Sequence, residues 1–481
     1  MHNLNLVYPN FSSARKLDPA KIETLVQYDL LSSLYSQLLT FDVNNQIVLG
    51  VPESMKWQDN ELIFTFGNKV KTIDGHVINA DDAAISLKRN IFLKKSGHGD
   101  LRNLLCPLHA LKSIHDECPG VRVEENKLIL TVADKKYQPF LMPFLSSTDF
   151  SIIPKDSLDL NSKDIKIISY RNTSGPYYLE KDDDGGALML AANPNHYLYD
   201  KNMPQMVNIS PATTKTAIAK FENDPNDLLP IVFTFSYDQI SNLLAKSSEF
   251  NIEQSLPFQV SFVEFTPKAL KDFTPEQRMF AGKMYHERYL SKFDTPGSKP
   301  TVEFFQILSD GSLNQAAKKD LQDWRNNLVK PKFTKPIELA VSDITYDQVK
   351  ESLKDIPEIK VVNTHEHPFK LNVKDRKDMY FARTDSAWAE NLSILGYSLR
   401  EGGAFHLPGL DGQQWVRDYI AIDSRELRIE KLRKLHEELL RQVVIYPYSV
   451  SSYYSVAKKP WTMNFSTYTA GIQLWRMRYQ P

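Results

Sequence analysis

The chain has 481 residues, too many for one hydrophobic core, so two or three lobes are expected. Its 42% hydrophobic and 24% charged residues are those of an ordinary globular protein, and a formal net charge of −1 favours neither nucleic acid nor an acidic membrane surface as partner. No apolar run approaches the roughly 20 residues that span a bilayer. The start, Met1-His2-Asn3-Leu4-Asn5-Leu6, shows neither the charged nor the apolar region of an export signal. Aromatic residues make up 11% of the chain, with 22 Tyr and 25 Phe. They suit either a pocket that grips varied ligands through rings or a large core with sheet-facing tyrosines.

Residues 1–45 read as a strand, a polar loop and an amphipathic helix, with Leu25, Leu30, Leu31, Leu34, Tyr35 and Leu38 at helical spacing. Glu61 to Phe66 alternates as a strand after a turn at Asp59-Asn60. Asn79 or Asp81 is positioned to cap a helix carrying Ile85 and Leu87. Lys127 to Val132 is a further strand, and Phe150 to Lys155 returns the chain. Gly175-Pro176 predicts a tight turn into a strand, with Gly175 free to take a positive φ and Pro176 fixing the exit. Ala217 to Asp224 is helical and Leu229 to Phe235 a strand. Thr274 is the expected N-cap of a helix that begins at Pro275. Residues 336–363 form a βαβ unit: strand Ile337 to Val341, helix Tyr346 to Leu353, strand Ile359 to Val362. Arg425 to Gln442 is an amphipathic helix with Leu427, Leu432, Leu435, Leu439 and Leu440 on one face. Ile472 to Trp475 is expected as the last strand.

A series of phrases runs through the first ninety residues. It comprises Leu17-Asp18-Pro19, then Leu34 to Asp42, Gly50-Val51-Pro52-Glu53, Leu62 to Phe66, and Asp74-Gly75-His76 through Asp81-Asp82-Ala83 to Lys88-Arg89. Their order and spacing resemble the family 5 extracellular solute-binding proteins, the peptide, oligopeptide and nickel receptors of bacterial ABC importers. Asn172-Thr173-Ser174-Gly175-Pro176-Tyr177 and Asn193-Pro194-Asn195-His196-Tyr197 are similar to later phrases of that family. The resemblance implies an α/β fold of the periplasmic binding protein type II-like class, with two α/β lobes, a two-strand hinge and an extra small lobe. It places lobe one at 1–45, 161–260 and 447–481, the small lobe at 46–160 and lobe two at 261–446. It implies a short peptide bound in the cleft between lobes, hinge closure, delivery to a membrane permease, a monomer, no catalysis and no cofactor. It also implies an exported, periplasmic or extracellular, membrane-associated protein, with Met1 standing in place of a removed signal. A non-peptide ligand on the same scaffold (a glycan fragment, an opine, a metal chelate) and a cytosolic ligand sensor are the rival readings. Export would permit a disulfide between Cys106 and Cys118, worth about 3 kcal/mol at this loop size, with two unpaired thiols as the alternative.

No hydrolase, zinc-protease or phosphate-loop motif is present. Asp182-Asp183-Asp184-Gly185-Gly186 lacks the regular oxygen ligands of a calcium loop and reads as an exposed hairpin turn. His365-Glu366-His367 would put two imidazoles on one face of a strand, a weak metal candidate without a third ligand. The sharper site is Tyr380-Phe381-Ala382-Arg383-Thr384-Asp385. In the peptide-binding relatives such a segment pairs with an extended peptide and its Asp meets the ligand's ammonium. Asp385 takes that position or caps the helix after it. Ala382 stands where the relatives carry Trp, and Trp388 follows nearby. Arg383 suits a ligand carboxylate or a surface ion pair. Phe381, Tyr446 and Tyr448 complete the expected ligand-binding set.

Overall fold

The computed structural model describes every residue except 1, 10–16, 23–24, 45, 94–103, 107–110, 184–186, 224, 232–234, 236, 258, 295, 306–309, 344, 367–370, 386–391, 400–401 and 466–471. Two compact units are present. The first holds Met1–Phe235, Gln239–Leu256 and Tyr453–Pro481, and the second holds Pro257–Ser452 with the short piece Ser236–Asp238. The boundaries expected at 260/261 and 446/447 stand at 256/257 and 452/453. The reason is that strands Gln259–Phe265 and Ile445–Ser451 pair with each other inside the second unit's sheet. Residues 46–160, expected as a lobe of their own, count within the first unit. They carry a separate antiparallel sheet ordered Ser54–Gln58, Glu61–Thr65, Lys127–Thr131, Val121–Glu124.

The first unit is built on a seven-stranded mixed sheet. Its order is Tyr177–Asp182, Leu188–Ala192, Met206–Ala212, Asn3–Pro9, Leu228–Ile231, Tyr454–Lys458, Phe250–Gln254. The N-terminal strand is central and parallel to Met206–Ala212 over seven residues. Its alternation serves two cores. Leu4, Leu6 and Tyr8 join Leu30, Leu31 and Leu34 of helix Leu25–Leu34, whereas Val7 packs with Phe221 and Leu229. A strand covered on both faces needs apolar residues at both parities, which this one has.

The sequence phrases turn out to be polar scaffolding. Asp18 accepts two 2.8 Å hydrogen bonds from Arg89 Nη1 and Nη2, and a third from the Ala20 amide at 3.0 Å. Arg89 is only 2% exposed and spends its Nε on the Ile165 carbonyl. The first phrase is thereby bolted to the last, 71 residues later. Asp82, equally buried, accepts from the Asn79 and Lys155 amides and from His76 Nε2. Asn79 caps helix Ala80–Leu93 by accepting from the Asp81 and Asp82 amides. Asp29 takes the Tyr8 hydroxyl and the Ile472 amide, so the first strand, first helix and C-terminal segment share one carboxyl.

The second unit's six-stranded sheet runs Lys299–Pro300, Ile445–Ser451, Gln259–Phe265, Met379–Asp385, Ile337–Val341, Ile359–Asn363. The βαβ unit forms as expected, Ile337 opposite Ile359 in parallel. Thr274 and Gln277 make a reciprocal capping box at the start of helix Pro275–Arg288. Gly282 on that helix lets it approach the sheet: a Cβ there would lie 2.8 Å from the Tyr446 ring.

Four local expectations are corrected. Gly175 does not take a positive φ. It is required because a Cβ would sit 2.4 Å from the Leu34 carbonyl carbon, where the Gly175 amide donates to Leu34 at 2.9 Å. Leu427 is 56% exposed while Leu432, Leu435, Leu439 and Leu440 are buried, since the first turn of helix Arg425–Arg441 lies outside the apolar stripe. Residues 472–475 are not a strand: a 3₁₀ turn Leu474–Arg476 is followed by strand Arg478–Tyr479. His365 lies beyond the end of strand Ile359–Asn363, at φ 58°.

Cys106 and Cys118 are joined by a disulfide, with Cα atoms 5.2 Å apart. Denatured, unreduced protein should therefore show no free thiol by titration, and Cys118→Ser should lower stability by about 3 kcal/mol. Two free thiols would overturn the bond. The Asp18–Arg89 pair makes a second prediction. Asp18→Ala leaves a buried guanidinium without its carboxylate and should cost about 3–5 kcal/mol in urea unfolding. Glu61→Ala, which breaks the half-exposed pair with Arg122, should cost no more than about 1 kcal/mol. Equal losses would mean that burial does not govern these pairs.

Candidate functional site

Strand Met379–Asp385 is the element on which the candidate residues converge. It pairs antiparallel with Gln259–Phe265 over seven residues, from Phe265 opposite Met379 to Gln259 opposite Asp385. Its parallel ladder on the other side is limited to Leu339 opposite Met379. Gln259 in turn faces Ser451. The Asp385 end of the strand is thus in register with residues beside Pro257 and Ser452, where the second unit begins and ends.

Period-two alternation sorts the side chains. Met379 enters the core with Val263, Phe265, Tyr446 and Tyr448, and Phe381 packs at its margin. Arg383 follows on the same face, where polarity begins. Its Nε donates to Ser261 Oγ at 2.8 Å, and its guanidinium lies 5.6 Å from the Phe381 ring centre, within cation–π range. The Tyr448 hydroxyl meets both Ser261 and Arg383. Burial pushes that hydroxyl up, while the Arg383 charge pulls it down. His286 stacks on the Tyr448 ring at 4.4 Å. Arg383 is therefore held within a built polar cluster, beyond the two roles expected for it.

The opposite face carries a second polar group. Glu264 is 4% exposed, and its carboxyl is pushed up to about 7 by burial, against the Tyr380 hydroxyl and Arg376, which pull it down. Arg376 Nη1 stands 4.0 Å from Glu264 and donates to Tyr380 Oη at 3.3 Å.

The other expected residues fall as follows. Tyr446 and Tyr448 are each only 4% exposed. Tyr446 lies under the Arg325 guanidinium at 4.3 Å, and burial raises its hydroxyl. Both rings belong to the core that backs the strand. Trp388, the side chain of Asp385, His367, Asp184, Gly185 and Gly186 lie outside the described residues. His365 is an exposed side chain bonded to Asp343 at 3.0 Å, and among the described residues no group of three or more His, Cys, Asp or Glu is placed to hold a metal ion. No described helix is long and apolar enough to cross a membrane. Sequence reasoning missed Ser261, Gln259 and His286. For Ser261 and Gln259 the available signal was polarity inside Gln259–Phe265, a strand whose seven residues are all buried; His286, on helix Pro275–Arg288, carried none.

Comparison with known proteins places this architecture. No family model matches the chain, and no curated sequence matches it. Solved structures do. The Escherichia coli murein tripeptide binding protein MppA superposes with a TM-score of 0.77 at 17% identity, covering 100% of this chain and 99% of that one. Haemophilus influenzae OppA in complex with RPPGFSPFR gives 0.74 at 14% identity, covering 99% of each chain. Brucella suis NikA in complex with Fe(III)-EDTA gives 0.75 at 16%, covering 99% of this chain and 100% of that one. This chain has the periplasmic binding protein type II-like fold. That is the fold implied by its resemblance to the solute-binding proteins.

The state of Glu264 makes stability depend on pH. Between the ordinary glutamate value of 4.5 and about 7, the folded chain keeps a proton that the unfolded chain has released. Its contribution is full below 4.5 and is lost as pH rises through 7, by about 3 kcal/mol. Asp29, pushed up to about 8 by burial, acts in the same direction. Glu264→Gln should flatten the fall in unfolding free energy across this window, measured by urea titration at several pH values. An unchanged slope would mean that Glu264 is ionised in the native state.

Proposed function

We propose that this chain is the solute-binding protein of a bacterial ABC importer, capturing short peptides outside the cytoplasm and delivering them to a membrane permease. The observation that carries the reading is the full-length fold shared with proteins described with a murein tripeptide, the nonapeptide RPPGFSPFR and the dipeptide Met-Leu. The position of Asp385 supports it: last in its strand, in register with Gln259. In this reading the backbone of Met379–Asp385 offers main-chain hydrogen bonds to an extended peptide whatever its sequence, and Asp385 pairs with the peptide ammonium. Burying that ammonium without a carboxylate would cost several kcal/mol. Arg383, Phe381 and Trp388 contribute side-chain contacts. Tyr448 and Ser261 hold the Arg383 guanidinium, and Tyr446 braces the sheet. The chain is a monomeric binder rather than an enzyme, and it works by population shift: ligand stabilises the arrangement that the permease recognises.

A second reading has its own support. Two proteins of the same fold are described with Ni(L-His)₂ and with Fe(III)-EDTA. A metal chelate is the ligand if peptides fail to bind.

Calorimetry on four pairings tests the peptide reading. Asp385→Asn should weaken binding of a short peptide by about 2–5 kcal/mol with the fold intact. Acetylating the peptide amino group should weaken binding to the natural chain similarly and cost the variant little more, because the same interaction is lost. Additive losses would remove Asp385 as the ammonium partner, and no peptide binding at all would remove the peptide.

A further inference from the structure

The first unit contains a cavity of about 620 Å³, within the usual range for small-molecule sites, and every residue lining it belongs to that unit. Its walls come from the end of helix Leu25–Leu34 and the hairpin of Leu39–Phe41 with Ile47–Leu49 after it, from Pro176 with Tyr197 and Leu198, and from residues 462–464 and 475–480 near the C-terminus. Apolar walls come from Phe41, Leu49, Met463 and Trp475. Three lining residues are charged, Asp42, Arg476 and Arg478.

The charges are arranged unequally. Arg478 is committed: its Nη1 donates to the Trp475 and Met477 carbonyls at 2.8 Å, and its Nε stands 3.5 Å from Asp200. Asp42 is committed too, its Oδ1 accepting from the Asn44 and Gln46 amides at 2.8 Å. Arg476 is not. Its Nη2 donates to the Phe41 carbonyl at 2.8 Å, its Nε is buried without a hydrogen-bond partner, and among the described residues it makes no ion pair. Burial disfavours its charge, and the neighbouring Arg478 adds repulsion, with Asp42 pulling the other way. Lys69, over the Tyr197 ring at 4.1 Å and bonded to the Gly50 carbonyl, adds positive potential at the same wall. A partly desolvated guanidinium with donors to spare, at the edge of an apolar cavity, is complementary to one carboxylate carried on an apolar body.

We propose that this cavity binds a small organic monocarboxylate, its anion on Arg476 and its apolar part between Trp475 and the Phe41–Leu49 hairpin. The site is separate from the Asp385 strand, which lies in the other unit.

The probe is 3-phenylpropionate, with 3-phenylpropionamide as its neutral counterpart, followed by ligand-observed NMR and calorimetry on the full chain. The acid should bind saturably and at least about ten-fold more tightly than the amide. Arg476→Gln should remove that preference and leave amide binding unchanged. Val48→Trp, a substitution at a 38% exposed position on the hairpin wall, should fill the cavity and abolish binding of both probes without touching the arginine. A short peptide saturating the other unit should not displace the acid. No saturable binding at millimolar acid, equal binding of acid and amide, or undiminished acid binding in either variant would overturn the proposal.

Discussion

Strands Gln259–Phe265 and Ile445–Ser451 lie side by side, antiparallel, and all seven residues of each are buried. They are also the strands by which the chain enters and leaves the second unit. The rest of that unit depends on this pairing, because the intervening 179 residues (266–444) are closed by it. Full burial explains their composition. Val260, Phe262, Val263 and Phe265 supply apolar area, and each polar residue among them must find a partner. Ser261 meets Arg383 and Tyr448, Glu264 meets Tyr380, and Ser451 donates to Gln259. The candidate binding strand is therefore positioned by polar contacts that the core forces to be satisfied.

The first unit solves its own closure problem with carboxylates. Its segments come from three separated parts of the chain, and apolar packing alone would leave their register loose. Asp29 ties strand Asn3–Pro9 to residue 472 through Tyr8, and Asp18 ties the loop after that strand to Arg89. These contacts are directional, so they specify alignment in a way that burial does not. Asp29 shows the cost: burial holds its carboxyl in the protonated range near neutrality.

This division explains what was legible. Leu17-Asp18-Pro19 and the run ending at Arg89 could be read through their resemblance to a family, and within them Asp18, Asp82 and Arg89 each meet several partners at once, which constrains the residue type. Thr274 as an N-cap and the βαβ unit follow from local rules and needed no tertiary knowledge. Gly175 was noticed for the wrong reason, because its constraint is a close approach to Leu34, 141 residues away, rather than a local φ. The C-terminal strand was misplaced because Ile472 is held by Asp29 and not by a sheet partner. Arg383 was singled out from its segment, but its partners Ser261 and Tyr448 were not, and the Arg476 cavity was not seen at all. Each is assembled from segments more than a hundred residues apart, which no local pattern reveals.

The same division bears on how one fold serves unlike ligands. Structures of murein tripeptide, nonapeptide and iron chelate binders superpose on this chain at 14–17% identity, over nearly its whole length. What such a fold requires is a buried pair of strands, alternating apolar faces and a few directional anchors. Most other positions can change provided volume and patterning are kept. The end of Met379–Asp385 is different in kind. Beyond Phe381 the apolar cluster gives way to polar contacts, with Arg383 held by Ser261 and by the Phe381 ring. Stability thus resides in apolar packing and in directional anchors, and neither of these dictates a ligand.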